Sequence, residues 1–186
     1  LSSNDRSLMG VTWVTLDDVD SFVEYGTSKR NLDQKIEGVT NTYHSASWIG
    51  TIHRATMSNL KPGTTYYYRV GGKSRLVNGW SDIKQFTTLS SDVEKVRFAV
   101  IGDMGYGPNS DNTIKRLTSL VEEGKIDAVI HSGDVSYADG FENHFDDFLI
   151  KIEPIASRIP YMVSPGNHEF WFNFSSYKNR FYMPGV

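Results

Sequence analysis

The hydrophobic period of this chain changes once, at the polar stretch LSSDVEK (residues 89–95), and that change governs what the chain can fold into. Before it, GVTWVTL, SFVEYGT, HSASWIGTIHRATM, TTYYYRVGG and WSDIKQFTT are short runs rich in Val, Thr, Tyr and Trp, separated by turn residues. Runs of this kind read as strands. Pro62-Gly63 supplies a turn feeding the aromatic strand. No helix-length period occurs in this half, so residues 1–90 are expected to form a small antiparallel β-sandwich. After the break, VRFAVIGD, DAVIHSGD and IPYMVSPGNHE read as buried strands. Between the first two, Ile114, Leu117, Leu120 and Val121 fall on one helical face, with cap candidates at residues 109–111 and Gly124 as a stop. Between the second and third, Phe141, Phe145, Phe148, Leu149 and Ile152 recur at helical spacing. Strand–helix–strand–helix–strand implies a parallel sheet with right-handed crossovers, so residues 91–186 read as α/β.

Several function classes fall away on composition. A net charge of −3 offers no basic surface for nucleic acid or anionic lipid. No apolar run is long enough to cross a membrane as a helix. With no cysteine, disulfides and thiolate metal sites are excluded. Leu1 is not an initiator and RFYMPGV closes no element, so the chain is expected to be a piece of a longer protein.

In parallel α/β sheets, ligands bind outside the carboxyl ends of the strands. Three polar clusters lie there: Asp103, then Asp134 with Tyr137, then Asn167 with His168. Each follows a glycine (Gly102, Gly133, Gly166) that lets the backbone turn and removes a side chain that would crowd the site. Carboxylate, phenol, amide oxygen and imidazole suit hard or borderline metal ions. A phenol keeps its proton at neutral pH unless a strongly charged cation takes it, which is the expected use of Tyr137. Asp134 can bridge two ions with its two oxygens. The loop GDMGYGPNS lacks the Gly-Lys-Ser/Thr ending of a P-loop.

The motifs GDMG (102–105), GDVSY (133–137) and GNHE (166–169) resemble those of the purple acid phosphatases, in the calcineurin-like metallophosphoesterase superfamily. The first half, above all MSNLKPGTTYYYRVGG, resembles that family's fibronectin-type-III-like domain. The tail FNFSSYKNRFYMPG is similar to the animal-like branch. Where most of the superfamily has Asp-x-His, this chain has Asp103-Met104-Gly105 and supplies Tyr137 instead, which argues against a nucleotide phosphodiesterase. The resemblance implies the first half of a four-layer αββα domain and hydrolysis of phosphate monoesters. It implies that Asp103, Asp134 and Tyr137 bind a ferric ion, and that Asp134 and Asn167 bind a divalent Fe, Zn or Mn. His168 would contact the phosphate and protonate the leaving alkoxide while a metal-bound hydroxide attacks in line. It also implies a secreted, lysosomal or vacuolar glycoprotein, consistent with a sequon at Asn173.

The family's later Val-x-x-His and Gly-His-x-His motifs do not occur in these residues. The 186 residues alone are therefore expected to bind metal weakly and to hydrolyse esters poorly. Tyr137 is expected to stay protonated without metal, and the half-sheet to favour self-association. The alternative is a non-catalytic binding module that works through the sandwich. The remaining residues read blandly. His131 is a packed strand residue, and His44, His53 and His144 are surface groups. Asp139 fixes the turn after Tyr137, and Glu169 holds the Asn167 loop. Phe170, Trp171, Phe172, Phe174 and Tyr177 are core or pocket rim.

Overall fold

The computed structural model describes residues 5–43, 48–74 and 78–183. The chain divides into two compact units. One comprises Leu1–Thr42, Ile49–Val93 and Tyr182–Val186, the other Tyr43–Trp48 and Glu94–Phe181.

The first unit is a sandwich of two antiparallel sheets. Strands β1 (Met9–Thr15), β4 (Val39–Asn41) and β5 (Thr51–Met57) form one sheet, in the order β1-β5-β4. Strands β2 (Phe22–Gly26), β3 (Gln34–Glu37), β6 (Thr65–Gly72) and β7 (Gly79–Trp80) form the other, in the order β3-β2-β6-β7, with β8 (Lys84–Thr87) also paired to β6. Alternation along each strand puts Val23 and Tyr25, Ala55 and Met57, Tyr66 and Tyr68, and Phe86 into one shared core. Each run that reads as a strand from the sequence contains one. Strands β3 and β4 escape a sequence reading because they are short and largely exposed, so no alternation marks them.

His53 is corrected: it is not a surface group but fully buried. Its ring stacks on Trp13 at 4.9 Å between centroids, and Nε2 lies 2.9 Å from Thr15 Oγ1. Burial lowers its pKa, because the charged imidazolium would be desolvated. His44 lies outside the described residues.

The second unit runs β9 (Phe98–Ile101), α1 (Asp111–Glu122), β10 (Ala128–Ser132), α2 (Glu142–Ala156), β11 (Tyr161–Ser164) and α3 (Trp171–Arg180). The three strands are parallel in the order β11-β10-β9, which makes β10 central. Helix α1 buries Ile114 and Leu117, and Gly124 just beyond it takes the left-handed φ of 61° that closes a helix. Helix α2 buries Phe145, Phe148, Ile152 and Ile155. Phe141, expected on that buried face, is instead the exposed residue preceding the helix. The sheet has two unlike faces. His131, Val129 and Val163 are buried, whereas Phe98, Val100 and Ile130 are exposed, with Val100, Ile130 and Met162 side by side across the three strands.

The segment after His168 carries no helical period in its sequence, yet it includes helix α3. Phe172, Asn173 and Phe174 carry left-handed φ values of 51°, 57° and 60°, so the right-handed helix begins only after them. Phe170, Trp171 and Phe172 are exposed rather than core. At the far end, Arg180 is buried, where a charge survives only if it is partnered. Its guanidinium donates to Tyr43 Oη at 2.7 Å, to the Glu142 and Asp146 carboxylates, and lies 4.4 Å from the Trp48 ring centroid. None of the described helices is long and apolar enough to cross a membrane.

Candidate metal and phosphate site

Beyond Ile101, Ser132 and Ser164 the three parallel strands hand over to loops that continue to pair. Gly133 N donates to Ser164 O at 3.1 Å and Asp103 N to Gly133 O at 3.3 Å. Gly105 N and Tyr106 N donate to Val135 O and Ser136 O at 3.0 and 3.1 Å. Because the tips are tied, the residues that follow them meet. Asp103, Asp134 and Asn167 line one cleft of about 220 Å³, together with Ser132, Ser164 and Pro165.

The backbone there is bent in an uncommon way. Asp103, Asp134, Tyr137 and Asp139 all have left-handed φ, between 48° and 55°. Aspartate tolerates this conformation better than most residues, whereas a bulky tyrosine does so only when its surroundings enforce it. Gly166 shows why glycine precedes Asn167. A Cβ at that position would sit 2.9 Å from Asp134 Cγ, and closer still to the carboxylate oxygen Oδ1 and the amide nitrogen of Asp134. The two loops approach so closely that no side chain fits between them.

Tyr137 Oη donates to Asp103 Oδ1 at 3.0 Å. Its pKa is pushed up to about 12, first by desolvation, then by that hydrogen bond and by the negative charges of Asp103, Asp134 and Glu169. The phenol is therefore protonated at neutral pH, as the crowding of carboxylates predicts. His168 lies against the Tyr137 ring, 4.2 Å between centroids, and its backbone N–H donates to Asp134 Oδ1 at 3.1 Å. Its Nδ1 donates to Asp139 Oδ1 at 2.7 Å, and this bond raises the His168 pKa above the usual imidazole value. From sequence, Asp139 is expected only to fix a turn. It does have the bent backbone of one, but its carboxylate also orients the imidazole, a partnership across 29 residues that no local pattern reveals.

Glu169 is buried and holds the loops. Oε1 accepts from Val135 N at 2.9 Å and Ser136 N at 3.3 Å, and Oε2 accepts from Gly166 N at 2.9 Å. His131 is packed beneath the tips, with Nδ1 3.1 Å from Tyr161 Oη, and burial lowers its pKa. His144 is half-buried and stacks on Tyr106 at 4.3 Å, away from the cleft lining. Lys151 carries no signal in the sequence. Its Nζ donates to Tyr106 O and Gly107 O at 3.0 and 2.5 Å and pairs with Asp111, pinning the loop after Asp103 from helix α2. Asn173 is exposed.

Comparison with known proteins covers both halves. Residues 1–88 match the purple acid phosphatase N-terminal domain, and residues 96–185 match the calcineurin-like phosphoesterase domain. Acid phosphatase type 7 of Mus musculus is 38% identical over 184 residues, which is 95% of this chain and 41% of that protein. Purple acid phosphatase 22 of Arabidopsis thaliana is 35% identical over 193 residues, 99% of this chain and 42% of that protein. The structure of purple acid phosphatase PPD1 from yellow lupin (Lupinus luteus) seeds superposes with a TM-score of 0.79 at 30% identity, over 97% of this chain and 39% of that one. The chain thus spans about two fifths of the length of these three relatives. With the sandwich and the half-sheet matched in tandem and in the same order, the chain belongs to the purple acid phosphatases, within the calcineurin-like phosphoesterases.

Proposed function

We propose that this chain supplies the N-terminal part of an acid phosphatase that hydrolyses phosphate monoesters at a two-metal site. The observation that carries this reading is the convergence of Asp103, Asp134 and Asn167 on one cleft, with the His168–Asp139 pair beside it. The donors are oxygen-rich and free of sulfur, which fits hard or borderline cations. Asp103, Asp134 and Tyr137 would hold a ferric ion, and Asp134 and Asn167 a divalent Fe, Zn or Mn. When bound, such a pair supplies positive charge to the attacking and leaving oxygens of an in-line displacement.

The chain's own residues do the rest. Tyr137 would serve as a phenolate ligand, and its hydroxyl donates to Asp103 Oδ1 at 3.0 Å, so the two oxygens already lie side by side. The Asp139 carboxylate raises the His168 pKa through their hydrogen bond and so favours the protonated ring, from which a proton can pass to the departing alkoxide. Glu169 sets the distance between the loops that carry Asp134 and Asn167. The test is a full-length preparation assayed with p-nitrophenyl phosphate and for bound iron and divalent metal. Asp134→Asn is expected to abolish turnover and lower metal content with the fold intact; full activity in that variant would refute the assignment.

Among the described residues, His, Cys, Asp and Glu side chains do not gather in threes in a way that could hold a metal. Because the Val-x-x-His and Gly-His-x-His motifs do not occur in these residues, we propose that the 186 residues alone bind Zn²⁺ weakly and turn over slowly, a reading that isothermal titration and the same assay decide. The division near residue 90, a fibronectin-III-like first domain, glycosylation at Asn173, delivery to the secretory or lysosomal/vacuolar route, and self-association of the 186 residues through the Phe98–Val100–Ile130 face belong to the same proposal.

A further inference from the structure

A second hollow, of about 400 Å³, lies on the sandwich and is lined by Asp20, Phe22, Glu24, Lys35, Lys73 and Trp80. Its volume falls in the range of small-ligand sites, roughly 300–1,000 Å³. Strand β2 turns Val23 and Tyr25 into the core, so the alternating Phe22 and Glu24 face outward. On that face Gly71 of β6 stands between Phe22 of β2 and Trp80 of β7. Gly71 has a φ of 122°, and a Cβ there would strike Gly79 O at 1.8 Å, so only glycine fits. With no side chain at 71, a gap opens between the two rings.

The charges around the gap are unevenly matched. Glu24 Oε2 accepts from Arg69 Nε and Nη2 at 2.9 and 2.6 Å, and the same guanidinium lies 4.5 Å from the Trp80 ring centroid. Glu24 is therefore already paired. Lys35 Nζ lies 4.1 Å from the Phe22 centroid and 5.7 Å from the Trp80 centroid, so both rings face one ammonium. Its nearest carboxylate oxygen, Glu24 Oε1, is 3.8 Å away, which is longer than a hydrogen bond. Among the described residues, then, the three donors of Lys35 meet ring faces and no acceptor. Lys73 and Asp20 stand at the same hollow, each exposed and without an ion pair among the described residues. With Arg69 spent on Glu24, two ammonium groups face one carboxylate.

We propose that this hollow binds an acidic sugar, a pyranose ring that carries a carboxylate. The C–H face of a pyranose is flat and apolar and packs against Trp80 and Phe22. The sugar carboxylate takes the donors that Lys35 and Lys73 leave unused, and Asp20 accepts from a ring hydroxyl. A planar aromatic acid would suit the rings and the ammonium groups but would bring no hydroxyl to Asp20. A neutral sugar would stack equally well but would leave the two ammonium groups without an opposite charge. A charge-assisted hydrogen bond of this kind is worth roughly tenfold in affinity. The site belongs to the sandwich, shares no residue with the strand-tip cleft and stands independently of the phosphatase reading.

The experiment is isothermal titration of the full-length protein at low salt, with tryptophan fluorescence as a second readout. The ligands are trimers of galacturonate and of glucuronate, which cover both settings of the fourth hydroxyl, and the methyl ester of each as its uncharged match. At least one acidic trimer is expected to bind about tenfold more tightly than its ester, and added NaCl is expected to erode that difference. Lys35→Gln is expected to bring the acid down to the level of the ester, and Lys35→Arg to keep most of the preference. Trp80→Ala is expected to weaken acid and ester alike. Lys35 is exposed, so Lys35→Gln is expected to fold normally, and this variant decides the matter even if Trp80→Ala fails to fold. The proposal is overturned if neither acidic trimer binds, if the esters bind as tightly as the acids, or if Lys35→Gln keeps the full preference. Benzoate binding as tightly as the trimers overturns the sugar assignment.

Discussion

Replacing Gly166 by alanine adds one methyl group where two site loops touch, and its effect can be worked out from the geometry. The new Cβ would meet the Asp134 carboxylate on one side, at 2.9 Å from Cγ, and the Asp134 backbone nitrogen on the other. Ordinary contact between such atoms begins near 3.5 Å, so the loops must part by about 1 Å. A rotamer change of Asp134 relieves the first clash but not the second, because the amide belongs to a main chain fixed by its neighbours. Gly133 N is bonded to Ser164 O, and Val135 N to Glu169 Oε1. Overpacking of this kind costs about 1–3 kcal/mol in folding stability. A displacement of about 1 Å among catalytic groups costs on the order of 100-fold in rate. Gly107→Ala is the matched control: its added methyl would meet no atom within 4 Å and its φ is −70°, so it is expected to be neutral within about 0.5 kcal/mol. Urea unfolding and p-nitrophenyl phosphate kinetics on both variants make the comparison. If Gly166→Ala matched Gly107→Ala in stability and in kcat/KM, the idea that backbone proximity sets the carboxylate position would be wrong.

In Asp139→Asn, the His168 ring is expected to titrate at lower pH than in wild type, as read by NMR. The raised folded value means that the imidazolium–carboxylate pair stabilises the fold below the ordinary imidazole pKa and that this contribution is lost as pH rises through the folded value, so the variant should show its stability deficit at acid pH only. The Tyr137 phenol should ionise near pH 12 in the metal-free protein, seen as the 295 nm absorbance missing from Tyr137→Phe, and Asp103→Asn should bring it down toward 10. Arg180→Ala leaves the Glu142 carboxylate buried without its cation, an expected loss of about 3–5 kcal/mol in denaturant unfolding. A loss below about 1 kcal/mol would show that water reaches those carboxylates.

Much of this was legible because each feature is local in the chain. Short runs rich in Val, Thr, Tyr and Trp between turn residues marked the sandwich strands, and alternating strands and helices announced the parallel sheet. Glycine followed by a metal-type donor, three times at strand ends, pointed to a single cleft. What the sequence hid is what depends on distant partners. His53 looks like any exposed histidine, because nothing nearby reveals that Trp13 will stack on it from β1. Asp139 and His168 are far apart in sequence, and so are Arg180 and Tyr43, which join across 137 residues. Phe141 matches the helical period yet falls just outside the helix, where period alone cannot say which turn is first. The three left-handed residues from Phe172 to Phe174 run against their own propensities, so any local reading would miss them.

The three-way grip of the Glu169 carboxylate has a practical consequence for engineering. Its two oxygens stitch residues 135 and 136 to residue 166, so the gap between the second and third strand tips is dictated by a side chain carried on the third tip's own turn, Asn167–Glu169. Transplanting residues 133–140 from a relative to alter metal preference would leave the new segment at the old spacing, or at none. Only a matched swap that carries 164–169 with it would preserve the bite of the two arms, which makes these stretches a single exchangeable cassette.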